Sequence, residues 1–111
     1  MEALALRASR HQHAMPHLEE DGSLCMGTDR VQLPPIESRL AGELIENYGR
    51  VVGGPRLLRA GWPQGGSSRN NLDVQLHRLR KRIQPLGLHI RTVRRRGWVL
   101  EVGPTPPLDA P

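Results

Sequence analysis

The stretch RNNLDVQLHRLRKRIQPLGLHIRTVRRRGW, Arg69 to Trp98, decides the reading of this chain. Arg69, Arg78, Arg80, Lys81, Arg82, Arg91, Arg94, Arg95 and Arg96 stand there against the single anion Asp73, a local charge of +8 in a chain whose formal net charge is +5. The remainder is therefore acidic on balance. Clustered cations of this kind suit a polyanion, because they neutralise phosphates and release condensed counterions. Leu72, Leu76, Leu79 and Ile83 recur at helical spacing, which predicts one buried stripe on an α-helix. Val74, Arg78 and Lys81 then lie almost opposite, flanked by Asn70, Asn71, Gln75 and Arg82. An outward face mixing amides, a small apolar group and Arg has the chemistry of major-groove reading: Asn pairs adenine, Arg pairs guanine, and Val meets the thymine methyl. A merely solvated helix would interleave Glu with Lys instead.

The helix is expected to start between Ser68 and Asn70, where Ser68 and Asn70 are competent caps, and to stop before Pro85 and Gly87. Beyond Gly87, Leu88, Ile90 and Thr92 alternate with His89, Arg91 and Val93. Val99, Leu100 and Val102 return after a turn region at Arg94 to Gly97, so a β-hairpin with a three-arginine tip follows the basic helix. Helix plus basic hairpin is a winged-helix arrangement, and such a tip fits a DNA backbone or a narrow minor groove.

Working outward, Pro34-Pro35 pre-sets a helix whose buried stripe is Ile36, Leu40, Ala41, Leu44, Ile45 and Tyr48, ending at Gly49, with Glu37, Glu43 and Glu46 facing solvent. A short strand is expected at Arg50 to Val52. After Gly53-Gly54, Pro55 opens a shorter helix burying Leu57, Leu58 and Trp62, closed by Pro63, and the small residues that follow lead into the basic helix. Helix, helix, enlarged turn and basic helix make a helix-turn-helix. Residues 1 to 33 read as a small antiparallel sheet, from a weak alternation at Ala3 to Arg7, turn signals at Asp21-Gly22 and Gly27, and Val31 with Leu33. The fold class is α+β in one domain, 1–102, with the sheet in 1–33 and helices and wing in 34–102. The proline-rich residues 103–111 are expected to form a disordered tail.

Composition narrows the function further. The 111 residues hold one cysteine, Cys25, which excludes an internal disulfide and fits a reducing cytoplasm. No apolar run approaches a membrane span. Aromatics are limited to Tyr48, Trp62 and Trp98, with no Phe, so the stacking platform of single-strand and RNA-loop binders is missing and duplex DNA is favoured. His11, His13, His17 and Cys25 show no zinc-finger or HExxH spacing, and no metal or cofactor is expected. Catalytic motifs are absent too: there is no glycine-rich phosphate cradle and no nucleophile elbow.

With these residues placed, Val31 to Val102 resembles the C-terminal DNA-binding domain of OmpR/PhoB-type transcriptional regulators. The resemblance runs through LPPIESRL (33–40), NYGRVV (47–52), LLRAGW (57–62), NNLDVQLHRLRKRI (70–83) and IRTVRRRGWVLE (90–101). It implies a four-stranded N-terminal sheet, a three-helix core and a C-terminal hairpin wing. Carried over by position, it implies that Asn71, Val74, Arg78 and the wing's Arg94 face bases. Arg69, Asn70, Gln75, Arg80, Arg82, Thr92, Arg95 and Arg96 are the expected DNA-backbone contacts. The loop Trp62, Pro63, Gln64, Gly65, Gly66, Ser67 and Ser68 corresponds to a segment that faces RNA polymerase in several members. Tandem pairing on DNA is a further implication.

The sequence departs from the family pattern in four places. Gln75 replaces a usual His, Arg95 a usual Gly, Pro34 a capping Thr, and Gly53-Gly54 a capping Ser. No receiver domain is expected in 111 residues. The alternative function is an adaptor that binds polymerase or another regulator and has only weak DNA affinity.

Overall fold

The computed structural model describes residues 15–103. Strands β1 (His17–Leu18), β2 (Ser23–Met26) and β3 (Asp29–Gln32) precede helices α1 (Pro35–Glu46), α2 (Gly54–Gly61) and α3 (Arg69–Ile83). A 3-10 turn at Gln84–Leu86 then leads into strands β4 (Leu88–Val93) and β5 (Gly97–Val102). This is the α+β winged helix-turn-helix expected from the sequence.

The first sheet is antiparallel in the order β1-β2-β3. Its turns fall at the two signals in the sequence: Gly22 and Gly27 take φ of 89° and 62°, and the Asp21 carboxylate accepts from the Ser23 amide at 2.9 Å. Three strands lie among the described residues where the resemblance implied four. The alternation at Ala3 to Arg7, His11 and His13, and the tail from Pro104 onward all lie outside the described residues.

Leu72, Leu76, Leu79 and Ile83 of α3 are at most 1% exposed. They share one core with Leu40 and Leu44 of α1, Leu57 of α2, Leu24 and Met26 of β2, and Leu88, Ile90, Trp98 and Leu100 of the hairpin. Full burial of each such side chain is worth about 1.5–3 kcal/mol, so the stripe fixes how α3 is rotated and which face it leaves outside. Ser68 caps α3, its Oγ accepting from the Asn71 amide at 3.3 Å. Pro34 and Gly53 cap α1 and α2 without any side-chain hydrogen bond, as their departures from the family pattern imply.

Two expectations are corrected. Glu37 does not face solvent: it is 2% exposed, on the side of α1 that packs toward α3, with Arg82 Nε 2.8 Å from its Oε1. Glu43 is half-buried and pairs with Arg56, which leaves Glu46 as the exposed acid of the three. The strand at Arg50 to Val52 shrinks to one bridge, in which Val52 N–H donates to Trp98 O at 2.7 Å and Trp98 N–H donates to Val52 O at 2.9 Å. Val51 is turned outward, 42% exposed, so an apolar run that reads as a strand buries only Val52.

Candidate nucleic-acid interface

Burial of the leucine stripe leaves Asn70, Asn71, Val74, His77, Arg78 and Lys81 exposed along α3. Val74 is 43% exposed, an uncovered apolar group set among amides and cations. Gln75 is half-buried on one flank. His77 is an addition to the expected residues of this face, and the helical spacing that turns Lys81 away from the leucine stripe turns it outward too.

Several expected contact residues hold the wing and the helices together. The Arg69 guanidinium lies 4.7 Å from the centroid of the Trp98 ring, a cation–π contact, with its Nε 3.5 Å from Asp73. Arg80 donates from Nε to Ile90 O at 3.0 Å and from a terminal nitrogen to Thr92 Oγ1 at 2.7 Å, clamping α3 to β4. Burial lowers the Arg80 pKa from its ordinary value, leaving it a charged group that spends two donors on the protein. Arg82 faces Glu37 in a charge contact without good hydrogen-bond alignment at Oε1. Across the hairpin, Arg91 donates to both oxygens of Glu101 at 3.2 and 3.0 Å, and these bonds hold the Glu101 carboxyl below its ordinary pKa. That contribution is in place at neutral pH and fades as the pH falls through the lowered value.

Of the nine cations between 69 and 98, the five that have neither an ion-pair nor a hydrogen-bond partner among the described residues are Arg78, Lys81, Arg94, Arg95 and Arg96. All five are exposed, on the outer face of α3 or at the wing tip. The tip is a tight turn closed by Arg96 N–H to Val93 O at 2.9 Å. Arg95 carries it at φ 65°, the one non-glycine residue with positive φ among those described. That conformation costs an L-residue about 1–2 kcal/mol, so the arginine is kept against a local preference for glycine. Thr92, Arg95, Arg96 and Trp98 also line a groove against Gly53, Gly54 and Pro55 at the start of α2, with Arg69 at its wall.

The loop from Trp62 to Ser68 separates α2 from α3. Trp62 and Ser67 are half-buried, while Pro63, Gln64, Gly65, Gly66 and Ser68 are exposed. Gly65 and Gly66 take φ of 81° and 85°, which gives the enlarged turn its shape. Of the three aromatics, Trp98 is buried and Tyr48 and Trp62 are half-buried, so none forms an open base-stacking surface. No helix among the described residues is long and apolar enough to cross a membrane.

Comparison with known proteins agrees with this geometry. Residues 27–100 match the family model of the transcriptional regulatory protein, C terminal. No curated protein matches the chain significantly. The solved C-terminal domain of NsrR, the nisin resistance regulator and a lantibiotic response regulator, is 33% identical with a TM-score of 0.67, over 77% of this chain and 89% of its own. The DNA-binding domain of the response regulator AdeR, solved in complex with an intercistronic region, shares the fold at a TM-score of 0.66 and 17% identity, over 78% of this chain and 93% of its own. The RstA DNA-binding domain of Klebsiella pneumoniae, solved with the RstA box, does so at 0.60 and 19% identity, over 84% and 99%. With most of its length inside the family model, the chain belongs to the OmpR/PhoB-type DNA-binding domains of transcriptional regulators.

Proposed function

We propose that this domain reads double-stranded DNA by sequence, with α3 in the major groove and the wing at the minor groove. The observation that carries the reading is the division of the cations: those that brace the fold are engaged by other protein groups, and the five without a partner among the described residues fall on the outer α3 face and the wing tip. In this reading Asn71, Val74 and Arg78 meet base edges, and Asn70, Gln75 and Lys81 meet the backbone. Arg94 enters the minor groove, and Arg95 and Arg96 grip flanking phosphates. Arg69, Arg80 and Arg82 set the pose of α3 and the wing. Thr92 Oγ1 accepts from Arg80 and keeps its own proton for a phosphate oxygen.

The domain acts by binding rather than by turnover. The exposed residues Pro63, Gln64, Gly65, Gly66 and Ser68 of its Trp62–Ser68 loop remain available to RNA polymerase, and pairing takes place on tandem DNA half-sites. The test is selection of bound fragments from genomic DNA by the purified protein, followed by affinity for the selected duplex and for a scrambled one at fixed salt. A reader enriches a common motif and prefers it by at least about a thousandfold. Weak binding to both duplexes without enrichment would leave the adaptor function as the better account.

The wing makes its own prediction. Replacing Arg95 and Arg96 together by Ala should lower the slope of log K against log salt by up to about 1.8, near 0.9 for each phosphate no longer neutralised, and weaken all sequences alike. Arg94→Ala should instead flatten the preference for A·T-rich flanks. Salt titrations of the double variant that run parallel to wild type would show the two arginines to be solvated charge only.

A further inference from the structure

Away from the α3 and wing surface, the β1–β2 hairpin gathers three side chains with metal-ligating chemistry. His17 and Cys25 are cross-strand partners in the antiparallel register, so their side chains leave the sheet on the same face. Glu19 follows β1 directly and is folded back by its amide, which donates to Ser23 O at 2.8 Å. An imidazole nitrogen, a carboxylate oxygen and the Cys25 sulfur all lie within 4.8 Å of one another, with His17 Nε2 3.5 Å from Glu19 Oε2.

We propose that His17, Glu19 and Cys25 form a zinc site, the three ligands that the described residues bring together. Bonds of about 2.0–2.3 Å place tetrahedral ligands roughly 3.3–3.8 Å apart, so the three groups need to close by about 1 Å. The side chains that must move are free to do so: those of His17 and Glu19 are 59% and 46% exposed, whereas Cys25 is anchored at 8%. A thiolate, an imidazole and a carboxylate together suit a borderline cation such as zinc, and do not suit calcium or magnesium, which take oxygen ligands. On binding, the Cys25 thiol releases its proton to solvent and the imidazole coordinates in its neutral form. Three ligands among the described residues leave one position of the tetrahedron for a water or a further ligand. The bound ion would pin β1, a strand of only two residues whose Leu18 packs against the core, to β2.

The experiment uses the full chain, stripped with a chelator and titrated with cobalt(II) as a spectroscopic stand-in, then with zinc in competition. The expected result is one cobalt per chain, with a sulfur-to-cobalt charge-transfer band in the near ultraviolet that zinc removes. Cys25→Ser should abolish the band. His17→Ala and Glu19→Gln, at exposed positions that leave the core intact, should each weaken zinc binding by roughly tenfold or more. His11→Ala with His13→Ala should leave it unchanged. A wild-type protein without the band, a band indifferent to His17 and Glu19, or binding abolished by the His11 and His13 changes would each overturn the assignment.

Discussion

Gly97→Ala should destabilise the domain by about 3–5 kcal/mol, a large share of the 5–15 kcal/mol available to a domain of this kind. Gly97 sits at φ 143°, at the first position of β5, where Val52 and Trp98 exchange two hydrogen bonds. A Cβ there would run into Val52 O and would lie 2.7 Å from Val52 C and 2.9 Å from Gly53 Cα. These are backbone atoms and cannot rotate aside. Backbone strain of about 1–3 kcal/mol therefore adds to the loss of a bridge whose two hydrogen bonds contribute about 1 kcal/mol each. Gly65→Ala is the control, because φ is 81° there and nothing lies within 4 Å of the added carbon. It should cost only about 1 kcal/mol. Urea denaturation of both variants checks this; equal midpoints would show that the contact with Val52 is not rigid.

Arg82→Ala should cost about 2–3 kcal/mol, because it leaves the Glu37 carboxylate buried and without its cation. Removing one partner of a fully buried pair costs about 3–5 kcal/mol. The lower figure reflects the Arg82 side chain, which is 45% exposed and partly screened by water, against 2% for Glu37. Adding Glu37→Met to Arg82→Ala should recover most of the loss, since an apolar group of similar volume needs no partner. Denaturation of the single and double variants reads the coupling between them. An equal loss in both would mean that Arg82 matters through its own packing. The double variant also separates positioning from phosphate binding: a positioning residue leaves the salt slope of DNA binding unchanged, whereas removal of a phosphate ligand lowers it by about 0.9.

The parts of this molecule that could be read from its sequence are those governed by one local period. Leu72, Leu76, Leu79 and Ile83 identify the inner face of α3 and hence its outer one, and alternation at Leu88 to Val93 identifies the first wing strand. The parts that could not be read depend on partners distant in sequence. Glu37 reads as solvent-facing by its charge alone, although its spacing from Leu40, Ala41 and Leu44 puts it on the buried stripe. What the spacing does not show is its partner Arg82, brought to it by the crossing of α1 and α3. Arg80 looks like a phosphate ligand, yet two of its donors reach Ile90 and Thr92. Val51 and Val52 look like a strand, although only Val52 finds a partner. His17 and Cys25 lie apart in the sequence, and only the strand register makes them neighbours. The first sheet is hard to bound because strands of two and four residues hold too few alternations to set their limits.

The central claim, that the outer face of α3 reads base sequence, is tested most directly by Arg78→Ala. Its affinity would be measured at one salt concentration on the selected duplex and on a scrambled duplex of equal length. Loss of a bidentate bond pair to guanine predicts a decrease of about 1–3 kcal/mol on the selected site, roughly five- to 150-fold, with a much smaller change on the scrambled one. Equal losses on the two duplexes would contradict direct reading and reduce Arg78 to one more charge on a basic surface.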